Sequence, residues 1–330
     1  MTFMKNKTLS VCFLMLFHFI YPQSTDRQVR NLSEVLVIDE RSRNYILNAY
    51  DVVQLNDGSF IVSDKLDYKL KKFDKNGKFV KETGKRGKGH GEFRGPSYLA
   101  SFNDVVAVTD FSSNRVQMFT SDLQFKSNFN VPGTVLDLCF DSEGNLWVGL
   151  LGGVGGQKII KVDGAGNILQ TILLKNQSDD IFESLFFFDI NKKGIVAVCY
   201  MCLNKIEVWN TKGQFIRDFE VAGIPLHPRK KTIVKNLFSK DIEAPEDNIF
   251  WSLSFDNSEN IYVLADAYTE NPSKDVYVLD LRGNLLSILS LPERAVHLLM
   301  VSNDRMIAIN NRRTKITVYG LKNNMDRKKR

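Results

Sequence analysis

Few residues in this chain have the type and spacing to do chemistry. Cys199-Tyr-Met-Cys202 has the spacing of a redox dithiol. Such a pair normally needs a helix N-terminus to lower a thiol pKa, and here it ends a strand-like run, Gly194-Ile-Val-Ala-Val198. A local disulfide or two inert thiols is the expected outcome, and Cys139, in Val135-Leu-Asp-Leu-Cys-Phe140, reads as a small buried hydrophobe. Beyond residue 24 the histidines are His90, His227 and His297, with no two at metal-ligand spacing. Asp51, Asp137, Ser184, Ser252 and His297 lie in or beside apolar runs, a mixture too varied for a convincing ring of hard-cation ligands. The stretch Gly84-Lys-Arg-Gly-Lys-Gly-His-Gly-Glu-Phe-Arg-Gly-Pro96 is glycine-rich enough to cradle a phosphate. No Lys-Ser/Thr pair follows it, however, and no helical pattern, so it reads as a structural linker.

The elements that must position these residues are strands. One pattern returns about every 45 residues: two apolar-alternating strands joined by a turn, a polar loop, a third strand, a tight turn and a fourth strand. Its third strands end at Phe73, Phe119, Val162, Trp209, Leu279 and Val318. Turns at Asn76-Gly77, Ala165-Gly166, Lys212-Gly213 and Arg282-Gly283 suit hairpins, because glycine accepts the positive φ they require. The second copy has Ser121-Asp122-Leu123 in place of its glycine, and the sixth stops after three strands. These repeats predict an all-β fold: a six-bladed β-propeller of four-stranded antiparallel blades over residues 31–321. An N-terminal strand, Glu34–Asp39, supplies the missing strand of the last blade and closes the ring.

The Gly84–Pro96 linker carries a resemblance. Gly87, Gly89, Gly91, Glu92, Phe93 and Pro96 match the Gly-rich, acid, Phe, Pro linker of NHL-repeat propellers. The chain resembles that family, in the divergent form of six-bladed exported propellers of Bacteroidetes-type bacteria whose role is unassigned. Some six-bladed propellers similar to this one are calcium-dependent lactonases or metal-dependent lyases, so a metal-dependent hydrolase or lyase is the enzymatic alternative that the resemblance implies.

The termini frame the repeats. Lys5 and Lys7 precede an apolar run, Leu9–Ile20, and Tyr21-Pro22-Gln23-Ser24 breaks it. That layout predicts a signal peptide over residues 1–24, too short to span a bilayer comfortably, with the mature chain periplasmic or extracellular. Its removal takes two lysines and no acid from a formal charge of +6. The basic Arg327-Lys-Lys-Arg330 sits in a C-terminal tail, 322–330, leaving the body nearly neutral. Nucleic acid is therefore not an expected partner, nor is a membrane span expected, and the chain is expected to be a monomer.

In a propeller the loops joining second to third strands, and those joining blades, emerge on one face. The repeat directs Lys65, Tyr68, Lys85, Arg86, Lys88, Arg94, Arg115, Arg229, Lys230, Lys231, Tyr268, Arg312 and Arg313 to that loop face. Asp64, Asp67, Asp110 and Asp266 fall there too and could neutralise them. The connections Val221–Asn248 and Asp266–Asp275 exceed the repeat length on the same face. The expected function is an exported, non-enzymatic binding or scaffolding propeller whose loop face engages an envelope protein or glycan of acidic character. No catalytic or metal-ligating residue is assigned and no cofactor is expected. Calcium would be the ion of the enzymatic alternative, and no motif indicates it.

Overall fold

The computed structural model describes residues 31–39, 46–111, 113–152, 156–178, 180–227, 231–235, 241–245, 248–266 and 274–322. Five blades are continuous in sequence, each a four-stranded antiparallel sheet whose strands pair in chain order. Their innermost strands are Ala49–Gln54, Pro96–Phe102, Val135–Phe140, Phe186–Ile190 and Phe250–Phe255. The sixth blade opens with Ala295–Ser302 and is completed by the N-terminal strand Asn31–Ile38, paired along Ile316–Lys322 from Asn31 opposite Lys322 to Ile38 opposite Ile316. Each inner strand lies beside the next, and the sixth returns to the first. The chain is a six-bladed β-propeller. The closing strand lies where the sequence places it, starting three residues earlier, and the last strand runs through Lys322.

The core is distributed over six seams, one between each pair of neighbouring blades. All six third-strand anchors lie in these seams, five at 3% exposure or less and Trp209 at 6%. The seam between last and first blades holds Ile307, Ile309, Ile316 and Val318 against Ala49, Val52, Phe60 and Phe73, with Ile38 of the closing strand added. Burial of this kind stabilises by roughly 25 cal/mol per Å² of apolar surface, so an open ring would lose one seam in six.

Local chemistry sets the turns on the face opposite the loops. Asp74, Asp163 and Asp280 each accept, through Oδ1, the backbone N–H groups two and four residues on. The third position of each turn then has positive φ and is glycine: Gly77 (77°), Gly166 (86°) and Gly283 (87°). In the second blade Thr120 Oγ1 takes over the acceptor role and Leu123 adopts φ 60° in the glycine's place, its side chain buried in the first seam.

The long connection between the fourth and fifth blades contains a two-stranded hairpin, Lys231–Lys235 with Asp241–Pro245. Its β-branched Thr232-Ile-Val234 core suits a strand, which the repeat spacing does not predict. Residues 1–24 and 323–330, which hold the expected signal peptide and most of the basic tail, lie outside the described residues. Among the described residues no helix is long and apolar enough to cross a membrane.

Candidate functional site

The inner strands surround a central channel whose cavity measures about 290 Å³. In four of them the register slips early and over one residue, between Ala49 and Asp51, Val135 and Asp137, Phe250 and Ser252, and Ala295 and His297, and in a fifth it slips more widely, between Pro96 and Leu99. The one-residue bulge re-aims the side chain that follows it. Asp51, Asp137, Ser252 and His297 consequently line the channel at equivalent positions, joined by Asp189 and Ser254. Ser184 does not join them. The fourth inner strand begins only at Phe186, and the Ser184 hydroxyl donates to the carbonyls of Ser178 and Asp180 in the preceding loop.

The channel carboxylates act as braces between blades. Each accepts the N–H of the residue that follows it and an N–H from a neighbouring inner strand. Asp51 holds Val52 and Leu99, Asp137 holds Leu138 and Phe188, and Asp189 holds Ile190 and Phe255. The inner edge of a blade has ladder groups with no strand beyond them, and these carboxylates satisfy them. Burial pushes all three carboxyls up, Asp137 furthest. At the seam of ring closure His297 Nε2 lies 3.0 Å from Asp51 Oδ1 without a hydrogen bond to it. Burial holds the imidazole below its usual range, against the pull of Asp51. Among the described residues no group of three or more His, Cys, Asp or Glu side chains is arranged to hold a metal ion.

Cys199 and Cys202 are free, buried thiols. Burial drives the Cys199 pKa far above the thiol range and pushes Cys202 up to about 12, the opposite of a redox dithiol. Cys139 is half-buried and donates from Sγ to Asp189 Oδ1 at 3.3 Å, so it is a channel-wall group and more than filler.

Above the channel, on the loop face, the expected binding residues separate into distinct sets. Lys65 and Arg313 converge on one aromatic ring. Lys65 Nζ stands 4.5 Å from the Tyr50 ring centroid and 4.2 Å from that of Phe111, and Arg313 Cζ stands 4.8 Å from Tyr50. Burial, then the like charge of Arg313, holds the Lys65 ammonium below the usual lysine value. Tyr50 Oη donates to Tyr98 Oη at 3.2 Å, which ties this cluster to the cavity wall. Lys85, Arg86, Lys88, Arg94 and Arg312 are exposed, with Lys85 3.2 Å from Glu92 and Arg86 over the half-buried Tyr68 ring. Lys85, His90 and Glu92 also line an open groove of about 490 Å³ between the first two blades.

Arg115 corrects the sequence expectation. It is buried, donating to the carbonyls of Lys88, Gly89 and Glu92 and pairing with Asp110 at 3.0 Å. The Gly84–Pro96 linker folds over it, a long-range event that loop position alone does not reveal. Asp110 accepts the N–H groups of Arg94 and Gly95 through its other oxygen, and Phe93 at 0% exposure anchors the linker against Phe119. The structural reading of the glycine-rich stretch therefore holds. Asp64 repeats the device in the first blade, accepting from Leu47 and Asn48 and pairing with buried Lys71 at 2.8 Å. Asp64 and Asp110 are thus interior groups and do not neutralise the loop-face surface. Arg229, Lys230 and Tyr268 lie outside the described residues, and Lys231 begins the hairpin.

Sequence and structure comparisons agree with this architecture. Residues 34–150 match a family model described as a 6-bladed beta-propeller. No protein of curated function matches the chain. Among solved structures, a Bacteroides fragilis protein described as exported aligns with TM-score 0.59 and 14% identity over 90% of this chain and 96% of its own. A protein of unknown function from Bacteroides thetaiotaomicron gives TM-score 0.60 and 9% identity over 89% and 76%. Virginiamycin B lyase from Staphylococcus aureus gives 0.57 and 12% over 88% and 99%. At these identities the likeness is one of fold.

Proposed function

We propose that this chain is an exported binding propeller, without catalysis, whose loop face engages an acidic partner of the cell envelope, protein or glycan. The observation that carries the reading is what shares the loop face. Of the fourteen exposed large apolar residues among the described residues, Leu47, Leu66, Phe111, Ile181 and Leu226 sit in loop-face connections, on the same face as exposed Lys85, Arg86, Lys88, Arg94 and Arg312. Apolar residues interspersed with cations are a common make-up of an interaction surface. Export rests on the basic start and apolar run of residues 1–24, and the likeness to the Bacteroides fragilis protein supports it.

A metal-dependent hydrolase or lyase of the lactonase-like type is the alternative, and the fold likeness to virginiamycin B lyase is what favours it. Its metal would need free carboxylate oxygens in the channel. Those of Asp51, Asp137 and Asp189 are committed to backbone N–H groups of two blades each.

The test compares two triple reversals on an anionic matrix: Lys85→Glu, Arg86→Glu, Lys88→Glu against Lys75→Glu, Lys192→Glu, Lys212→Glu on the opposite face. Only the first is expected to lose retention. Equal losses would mean that net charge alone explains binding. N-terminal sequencing of the exported protein checks cleavage near residue 24, and an intact Met1 on a soluble cytoplasmic product would end the export reading.

A further inference from the structure

Tyr50 is flanked by two cations that have no anion. Lys65 comes from the second-to-third-strand loop of the first blade, Arg313 from the equivalent loop of the last, and Phe111 from that of the second. Asp64, the acid next to Lys65 in sequence, is spent on Lys71 and on two backbone N–H groups. Among the described residues no carboxylate lies within ion-pair distance of Lys65 or Arg313. Arg313 Nη1 donates to the carbonyls of Ala49 and Tyr50, which fixes the guanidinium plane and leaves Nη2 unspent. Arg313 also holds φ at 59°, a backbone conformation disfavoured for its side chain.

Two like charges brought to one ring and half removed from water repel each other, and the ring face compensates only in part. An arrangement of that cost makes sense when a third charge completes it. Tyr50 bonds to Tyr98 at one end of the channel cavity, which runs from there toward Gln54, Phe140 and Val301 on the opposite face, so the platform itself lies outside the cavity, on the loop face. A fixed guanidinium edge favours a planar carboxylate. The Phe111 ring beside it, 47% exposed, suits the apolar face of one sugar ring.

We propose that the Lys65–Tyr50–Arg313 platform on the loop face binds a sugar carboxylate, a uronic acid, with its carboxylate between Arg313 and Lys65 and its ring against Phe111. The proposal rests on the loop face being the binding face, but it places the ligand on this platform and not on the Gly84–Pro96 linker.

Titration calorimetry with D-glucuronate, D-glucose and inorganic phosphate tests it, at about 0.15 M salt so that distant charges are screened. D-Glucuronate is expected to bind, with D-glucose and phosphate each at least about tenfold weaker, a difference of about 1.4 kcal/mol. Lys65→Met should weaken D-glucuronate at least about tenfold while melting as the parent does; Arg313→Gln, which also loses the bonds to Ala49 and Tyr50, should weaken it as much while still folded at the assay temperature, and Arg313→Lys should fall between. The linker triple reversal should leave D-glucuronate affinity unchanged. Absence of binding, equal binding of D-glucose, phosphate binding as tight as D-glucuronate, or full affinity in Arg313→Gln would each overturn the site. Loss of matrix retention by the linker reversal alone concerns only the broader loop-face reading, so the two failures are distinguishable.

Discussion

Asp51 and His297 face each other across the seam where the ring closes, with Oδ1 and Nε2 3.0 Å apart, one from the first inner strand and one from the last. Both sit in the channel wall, and burial shifts each toward its neutral form: Asp51 upward, His297 downward. The seam is thus lined at the channel by groups that resist charging, and burial raises Asp137 and Asp189 as it does Asp51.

This gives two opposed pH dependences. His297 has a folded pKa below its ordinary 6.5, so the unfolded chain takes up the proton first and stability is lost as pH falls through 6.5. His297→Gln should flatten that acid-side loss. Asp137 has a folded pKa well above 3.8, so the folded chain holds the extra proton and stability is lost as pH rises from 3.8 toward the folded value. Asp137→Asn should flatten that rise-linked loss, at the cost of about 1 kcal/mol for one impaired backbone bond. Thermal melts across the acid range read both, and unchanged slopes in either variant would contradict the assignment.

Arg115→Ala should destabilise by about 3–5 kcal/mol, because it strands the Asp110 carboxylate without its cation. Asp110 is only 1% exposed. The Gly84–Pro96 linker should also become a site of proteolytic nicking. Arg94→Ala, at an exposed residue of the same linker, should leave the denaturant midpoint unchanged. Equal effects from the two would refute the bracing role of Arg115.

Gly164 and Gly166 share one turn and separate space from strain. A Cβ on Gly164 meets nothing within 4 Å, whereas one on Gly166, at φ +86°, would lie 2.5 Å from the Phe129 ring. Gly164→Ala is expected to be neutral, and Gly166→Ala to cost about 1–3 kcal/mol. Chemical denaturation of the pair decides it.

Deleting residues 31–38 should unfold or aggregate the chain. Several ladder hydrogen bonds at about 1 kcal/mol each go with the strand, as does Ile38 from the closing seam. The whole fold is worth about 5–15 kcal/mol. A truncated chain that melts normally would disprove the dependence on closure.

The ring is legible because strand repeats are local: Asp-x-x-Gly or Asn-x-x-Gly turns mark four blades, and alternating apolar strands announce the other two. Closure was legible by counting strands against Thr314–Gly320. The channel was legible only in part. Asp51, Asp137, Ser252 and His297 follow similar strand openings, but Asp189 sits later in a strand that a long loop precedes, so the repeat spacing points to Ser184 in that loop. The Lys65–Tyr50–Arg313 platform had no sequence signal as a unit, because its members come from opposite ends of the repeat and meet only once the ring is shut. Arg115 reads as exposed for a different reason: what covers it is the linker leading into its own blade, folded over it.

Closure by the Asn31–Ile38 strand also sets an order in time. The segment that enters the last blade is made before the five continuous blades, and its partner, Ile316–Lys322, after them. Those five blades can form from neighbouring residues as the chain lengthens, yet the closing strand must wait, unpaired, while they do. The final pairing spans the whole ring, the kind of distant contact that slows folding. Until it forms, Tyr50 and Arg313 are held apart by five blades, so an open ring has no Lys65–Tyr50–Arg313 platform.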